Sequence, residues 1–485
     1  MMTMLRLMLA MVLPWLLGTL WMRAFLRARA PGQFAVNLGY GYFAGVLLTT
    51  VLVLAWDALG LRLHFWPLIG VLVLLGAIGF RLARHKWVQQ RWMGWGRPWF
   101  GSYRPTWRQA AAGMLVLLII VHAAGVALEV LWRPLYPWDA WMNWAPRARV
   151  WLETGALVPF LPHDGWQVST DPQVRSLSMA GNYPPVVPLI TLWPALALDR
   201  WDESLINLPW LFCGIALVLA CYGQARALGA SRLFATVLCY LLASLPFLNV
   251  HVALAGYADL WLAAFYGLAI MAFLRWVWQG DRRQLALALL FILTVPFLKR
   301  VGLAWAFTFV PALIVALVPG RRLLWIIAIG GAAFIMIYWT VGIHITLPQI
   351  GEIQISPEQI KLPLYEGKGL EFQPEWAAFA DNFFLLGNWH LFWYLAAGSV
   401  LLLPWALRDR CLRISSVLAL SGFFFLGFVY FFTGHSAHAA NYTSINRAFL
   451  HLVPGLLFIF AASLIHVLNH THDRRQPTSK PSTGH

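Results

Sequence analysis

Charge is scarce in this sequence. Asp, Glu, Lys and Arg together make up 11% of its 485 residues, where a soluble globular chain carries about 25%. That scarcity excludes an ordinary water-soluble fold, and no polar stretch is long enough to form a separate soluble domain. Cysteine is scarce as well. Cys213, Cys221, Cys239 and Cys411 are the four present, in or beside apolar segments and without metal-ligand spacing. They read as small packing residues, not as a disulfide framework or a zinc site. Acidic residues number 19 against 35 Lys and Arg, for a net charge of +16. Those cations fall in short clusters between apolar runs, whereas a nucleic-acid binder gathers them on one face. Nucleic acid is therefore not expected as a partner.

What the chain has instead is apolar length. Hydrophobic residues make up 60% of it, in runs such as LLIIVHAAGVALEVL, LWIIAIGGAAFIMIYW and LLFIFAASLIHVL. Several runs approach the ~20 residues that cross a hydrocarbon core of about 30 Å. The expected fold class is all-α and polytopic, with about 13 transmembrane helices plus juxtamembrane helices in a long outer loop. The N-terminal MMTMLRLMLAMVLPWLLGTLWM reads as a first span, because a basic stop, RAFLRARA, follows it and no small-residue cleavage site does.

Basic loops orient the spans. Clusters at 23–30, 81–92, 224–232, 275–283, 319–322 and 408–413, with the tail, read as cytoplasmic. The expected organisation is then N-terminal spans at 1–132, an outer loop with juxtamembrane helices at 133–204 and central spans at 205–345. A second outer loop at 346–387, C-terminal spans at 388–470 and a disordered cytoplasmic tail at 471–485 complete it. Parity of crossings makes the proline-rich 184–199 an interfacial or partly inserted helix.

Polar residues inside this setting are few enough to weigh one by one. Asp139 lies in YPWDAWMNWAPRARVW (136–151), among Trp138, Trp141 and Trp144. Asp259 lies in HVALAGYADLWLAAFYGLAI, at the mouth of a span, where ionisable groups tend to mark a polar cavity or a function. The structural alternative for Asp259 is a first-turn acid on the helix dipole. Lys299 and Arg300 interrupt TVPFLKRVGLAWAF at an outer end, against the positive-inside bias, and suit an anionic head group. Snorkelling to lipid explains them equally simply. Arg447 in FTGHSAHAANYTSINRAFLHLVP is either another phosphate contact or an interface anchor. In the same loop His435 and His438 stand three apart, a metal spacing with no further clear ligand. GYGYFAG (39–45) reads as small-residue helix packing, and His163 with Asp164 as ordinary loop.

Three stretches together resemble the GT-C superfamily, the polytopic glycosyltransferases that use polyprenyl-phosphate sugars, such as the lipid A aminoarabinose transferases and protein O-mannosyltransferases. The family's acid early in its first long outer loop is matched by Asp139. Its Tyr-Pro-Pro motif is matched by GNYPPVVPLITLWPAL, and its second outer acid by Asp259 in AGYADLWLAAF. The Leu-Thr-Lys-Asn-Glu-Gly-Leu-like stretch of many relatives is similar to FLKRVGL, which keeps Lys299, Gly302 and Leu303 but has Arg300 and Val301 in place of Asn-Glu. The resemblance covers roughly 130–310, leaving the first three spans outside it.

The resemblance implies transfer of a sugar from a polyprenyl-phosphate donor to a glycolipid, lipopolysaccharide or other envelope glycan. It implies a bacterial inner membrane location with the active site facing the periplasm. Asp139 is then the base or the carboxylate that orients the acceptor, and Asp259 positions a sugar hydroxyl or assists the base. Lys299, Arg300 and Arg447 take the donor phosphate, while Trp141, Asn143, Arg147 and Tyr183 contact acceptor or sugar. No cofactor follows from it; a divalent metal shared by the two acids is left open. A transporter or flippase for a lipid-linked saccharide is the alternative, and it requires polar groups along a path through the bilayer.

Overall fold

The computed structural model describes residues 2–26, 30–89, 106–176, 183–318, 320–347, 351–356, 360–362, 365–367, 372–406 and 408–475. Seven helices are long and apolar enough to cross a membrane: Met2–Phe25, Gln33–Ala58, Phe65–Arg84, Trp107–Trp132, Leu205–Ala227, Ala258–Gln279 and Arg410–Phe432. Arg232–Ala243 and Pro246–Ala253, bent by 61° at their junction, make an eighth if taken as one broken span. The protein is thus a helical, multi-pass membrane protein. Length and apolarity alone do not reach the expected count: Val186–Leu198, Gly302–Leu317, Ile329–Thr340, Phe392–Leu401 and Val453–Leu468 are apolar but shorter.

Helix is the form this composition dictates, because lipid offers no partner for an open backbone amide or carbonyl. The break in the eighth candidate has a local cause. Pro246 opens the second half-helix without an amide proton, and Leu245 before it is extended, at φ −63° and ψ 116°. The chain therefore leaves one axis at Ser244 and resumes on another, inside the protein.

Ala258–Gln279 is the axis of the bundle. Its first 18 residues, Ala258 through Arg275, are all buried, and it packs against Leu208–Ala227, Arg282–Thr294 and Val453–Arg475. Between its polar ends the interior is nearly dry. The Tyr266 hydroxyl meets Thr308 Oγ1 at 2.7 Å, and Tyr40 donates to the Leu268 carbonyl at 2.8 Å. The N-terminal hairpin of Met2–Phe25 and Gln33–Ala58 packs at backbone contact, as GYGYFAG predicts. A Cβ at Gly45 would stand 1.8 Å from the Pro14 carbonyl oxygen, and one at Gly39 would stand 2.4 Å from the Ala220 nitrogen.

The C-terminal end of the axis carries a buried network that the sequence does not announce. Arg275 donates to Gln224 and Gln33, each at 3.3 Å, and to Gln279 at 3.1 Å. Gln224 donates to Gln284 and to the Tyr40 hydroxyl, both at 3.0 Å. These bonds tie together four helices in the buried interior.

The first outer loop is built as two layers. A π-helical turn, Ala140–Trp144, leads into Ala145–Thr154, which lies over Val186–Leu198. All 13 residues of Val186–Leu198 are buried in protein, and Trp193 donates to the Ala10 carbonyl at 2.7 Å. The second outer loop departs from expectation. Ile343–Leu347, Gly351–Ile355, Ile360–Leu362 and Tyr365–Gly367 form a four-stranded antiparallel sheet in chain order, with Ile345 opposite Ile353. IHITL and EIQI alternate with period two, which is the strand signal. At the C-terminus Val453–Arg475 runs past 470, so the boundary drawn there is not a break; residues 476–485 lie outside those described.

Candidate functional site

Four of the singled-out charges meet at the N-terminal end of the axis helix. Asp259 is in the first turn of Ala258–Gln279 and fully buried. Its Oδ1 accepts from Lys299 Nζ at 2.7 Å and from His451 Nε2 at 2.8 Å. Its Oδ2 accepts from Arg447 Nη2 at 2.7 Å and Nε at 3.2 Å, a two-point guanidinium contact. The same Arg447 Nη2 also donates to Asp139 Oδ2, and Asp139 Oδ1 accepts from Asn143 at 2.8 Å. The result is a continuous chain, Lys299–Asp259–Arg447–Asp139–Asn143, assembled from four separate parts of the sequence.

Each member is placed by a local device. Asp139 stands at the start of the π-helical turn Ala140–Trp144, and Asn143 four residues on reaches back to its carboxylate. One-turn π segments of this kind recur at functional sites. Lys299 occupies a tight corner between Val295–Phe297 and Gly302–Leu317. A Cβ at Gly302 would stand 2.1 Å from the Val295 carbonyl oxygen, so only glycine closes that corner. Arg447 is on the short helix Ile445–Leu450, separated from Val453–Arg475 by a break at His451 and Leu452.

Donor-acceptor logic fixes the state of His451. Indole N–H can only donate, and Trp305 Nε1 lies 3.0 Å from His451 Nδ1. Nδ1 is therefore the bare nitrogen and Nε2 carries the proton that Asp259 accepts. Both Asp259 oxygens are thus committed, one to Lys299 and His451, the other to Arg447. This carboxylate is an anchor for cations rather than a free proton acceptor.

The remaining expected residues surround the cluster in different states. Arg300 stands 5.2 Å above the Tyr183 ring, and Tyr183 meets Trp144 edge-on at 5.1 Å. Burial raises the Tyr183 hydroxyl above its usual range, and the charge of Asp139 adds to the effect. Trp141 is exposed. Arg147 turns inward instead of facing an acceptor: it donates to the Tyr183 carbonyl at 2.7 Å and lies 5.1 Å from the Trp151 ring centroid. Burial pushes its guanidinium down to about 10. Its neighbour Arg149 is exposed and paired with Glu153. Gly181 and Asn182 of the GNYPP stretch lie outside the described residues.

A cavity of about 210 Å³ opens beside the cluster. Arg447 belongs to both, and Tyr257, whose ring centroid is 4.6 Å from the Arg447 guanidinium, lines the cavity with His251, Phe247, Thr443 and Asn446. The second outer loop is pinned to the same wall. Asn446 donates to Asn382 at 2.5 Å and accepts from Trp389 at 2.8 Å, and Tyr442 donates to Asp381 at 2.8 Å. His451, Trp305, His251, Asn446 and Asn382 are the residues sequence reasoning missed. For His451 a signal existed, since it stands four residues after Arg447, within reach of the same carboxylate.

The donor set does not fit a divalent cation. Arg447 and Lys299 already neutralise both carboxylates, and among the described residues no three His, Cys, Asp or Glu side chains converge. His435 and His438 have ring centroids 5.7 Å apart, and no third such ligand joins them. His163 stacks on Trp166 at the surface, and the four cysteines are unpaired. Compared with family models, with curated proteins and with solved structures, the chain matches none.

Proposed function

We propose that this chain is a membrane glycosyltransferase that moves a sugar from a polyprenyl-phosphate carrier to a glycolipid, lipopolysaccharide or other envelope acceptor. The observation that carries the reading is the meeting of Asp139, Asp259, Lys299 and Arg447 in one ion-paired cluster beside a cavity, at one end of a buried helix. Phosphate departure from an activated sugar needs fixed positive charge where negative charge builds, already oriented before reaction. Lys299 and Arg447 supply oriented N–H donors, held by Asp259 so that neither side chain reorganises on binding, with their charge balanced by the two acids. Arg300, stacked on Tyr183, adds a third cation at the rim. Asp139, at the junction of cluster and outer loop, orients the acceptor. Direct displacement inverts the anomeric centre.

A flippase needs polar groups along a path through the bilayer. The axis helix speaks for a transferase, because from Leu260 to Leu274 it is buried among apolar neighbours, with the Tyr266–Thr308 pair and the Tyr40 hydroxyl its polar contacts there. On this reading Gly302–Leu317, Ile329–Thr340, Phe392–Leu401, Val453–Leu468 and Arg282–Thr294 complete further crossings, giving about 13 in all with Val186–Leu198 left interfacial. The membrane is the bacterial inner membrane, and the cluster faces the periplasm. The test is mass spectrometry of envelope glycolipids from cells with the protein, without it, and with Asp139→Asn or Arg447→Ala. The reading expects one glycolipid to vanish without the protein and with either variant. An unchanged profile in the deletion refutes it.

A further inference from the structure

His251 has no part in the cluster, yet it lines the same cavity as Arg447. It lies on Pro246–Ala253, the second half of the broken span, and is 2% exposed. Its ring packs between Phe247, at 4.6 Å between centroids, and Tyr257, at 5.1 Å. Nδ1 is 3.0 Å from the Phe247 carbonyl oxygen. A carbonyl only accepts, so Nδ1 carries the proton and the neutral ring presents Nε2 as a bare acceptor; the partner of one ring nitrogen sets the role of the other. Nε2 is buried and has no hydrogen-bond partner in the protein. An acceptor left so is destabilising, which fits a site completed by a ligand. The cavity, at about 210 Å³, is far larger than the roughly 10–15 Å³ that holds a single water.

We propose that His251 Nε2 receives a ligand hydroxyl in this cavity and serves as the proton acceptor for an attacking alcohol. The class of ligand is a polyol head group. Its hydroxyl donates to Nε2, Phe247 and Tyr257 line the apolar side, and Thr443 and Arg447 supply polar contacts. The proton-acceptor role rests on the transferase reading above; the hydroxyl subsite does not. In the reaction, the alcohol oxygen forms a bond to the anomeric carbon as the bond from that carbon to the phosphate oxygen breaks. The electron pair leaves on the lipid phosphate, beside Lys299 and Arg447. The alcohol proton passes to Nε2, giving an imidazolium that returns it to solvent. Asp259 is unsuited to this step because all its contacts are spoken for, whereas the Phe247 carbonyl orients His251 as a base is oriented in other group-transfer sites.

The subsite is tested on the full chain in lipid nanodiscs with ¹⁵N-labelled histidine, using His251→Asn to assign the signal. Asn keeps a donor for the Phe247 carbonyl and removes Nε2. The expected signal at neutral pH is a neutral ring protonated on Nδ1. Its Nε2 resonance shifts when octyl glucoside is added, a probe with a hydroxyl-bearing head group, and stays put with an amine-oxide detergent. Equal response to both probes, no response, or a proton on Nε2 overturns the subsite. The chemistry is tested by yield of the glycolipid that depends on this protein. His251→Gln retains an acceptor near Nε2 but no basicity, so yield falls on the order of 10²- to 10⁴-fold, the usual range for a lost general base. Yield above about a tenth of wild type in a variant of unchanged melting temperature overturns the proton-acceptor role. If Asp139→Asn and Arg447→Ala abolish product while His251→Gln does not, the base assignment fails and the transferase reading stands. If no glycolipid depends on the chain, that reading fails and the nanodisc measurement still decides the subsite.

Discussion

Replacing Asp259 with Asn tests the cluster at its centre. The substitution keeps the shape and removes one charge, but an amide has one acceptor oxygen and two N–H groups. In the wild type four donated hydrogen bonds converge on the carboxylate, from Lys299, His451 and, twice, Arg447. Whichever way the amide turns, its NH2 faces either Arg447 or the Lys299–His451 pair. Breaking a buried ion pair from one side destabilises by about 3–5 kcal/mol. Side-chain exposures of 20% for Lys299 and 27% for Arg447 let both cations recruit some water, which favours the low end, about 3 kcal/mol. At roughly 1 °C per kcal/mol for a chain of this length, the melting midpoint falls by about 3 °C. The assay is a thermal scan in nanodiscs at one fixed rate, since membrane proteins of this size unfold irreversibly. Adding Lys299→Met removes one stranded cation, so the double variant recovers about 1–3 kcal/mol relative to the sum of the single changes. A single variant melting within about 1 °C of wild type, or strict additivity in the double, refutes the cluster as drawn.

Three further outcomes are expected. Trp305→Phe deletes the donor that holds His451 Nδ1, destabilising by about 1–3 kcal/mol and freeing the ring to exchange tautomers, visible as a split or shifted His451 signal in ¹⁵N spectra. Gly302→Ala places a methyl group against the Val295 carbonyl, so the corner carrying Lys299 must open; a loss of about 1–3 kcal/mol is expected in the same thermal scan, and an unshifted midpoint contradicts the corner's geometry. At the start of Arg410–Phe432, burial alone would raise Asp409, but the His466 ring at 3.0 Å and the amides of Leu412 and Cys411 outweigh it and hold the carboxyl below its usual range. Its contribution to stability is complete above the unfolded value of about 3.9 and disappears as pH falls through the lowered folded value. The melting difference between wild type and Asp409→Asn should therefore shrink as pH drops below about 4; a difference independent of pH contradicts the assignment.

The charged half of the site was legible because charge stands out against lipid-soluble sequence. Asp139, Asp259, Lys299 and Arg447 each interrupt an apolar or aromatic run, and loop polarity alone put them on one face. Their neutral partners were hidden by the same background. Histidine and tryptophan in a membrane chain look like interface residues, and His251, His451 and Trp305 acquire meaning only from the atom each one faces. The inward turn of Arg147 was likewise unreadable, since YPWDAWMNWAPRARVW gives no hint that Tyr183, 36 residues on, offers it a carbonyl. Of the fold, helix type followed from composition, while the strands at 343–367 were concealed by treating a long connection as featureless despite the alternation in IHITL. The bend before Pro246 had its proline in plain view. Without knowing which helices surround it, nothing marked that proline as the edge of a cavity.

The distances along the chain between cluster members set an order of assembly during synthesis. Asp139 emerges first, Asp259 next, and Lys299 follows 40 residues after Asp259. Arg447, which bridges the two acids, comes 188 residues after Asp259. At 5–20 residues per second, that interval is roughly 10–40 s. Once Lys299 has emerged the axis helix holds a carboxylate with one cation and an unfilled side, so a chain cut short before Ile445–Leu450 carries an unsettled charge at its centre. The short helix Ile445–Leu450, which carries Arg447, is thus the closing piece of the cluster.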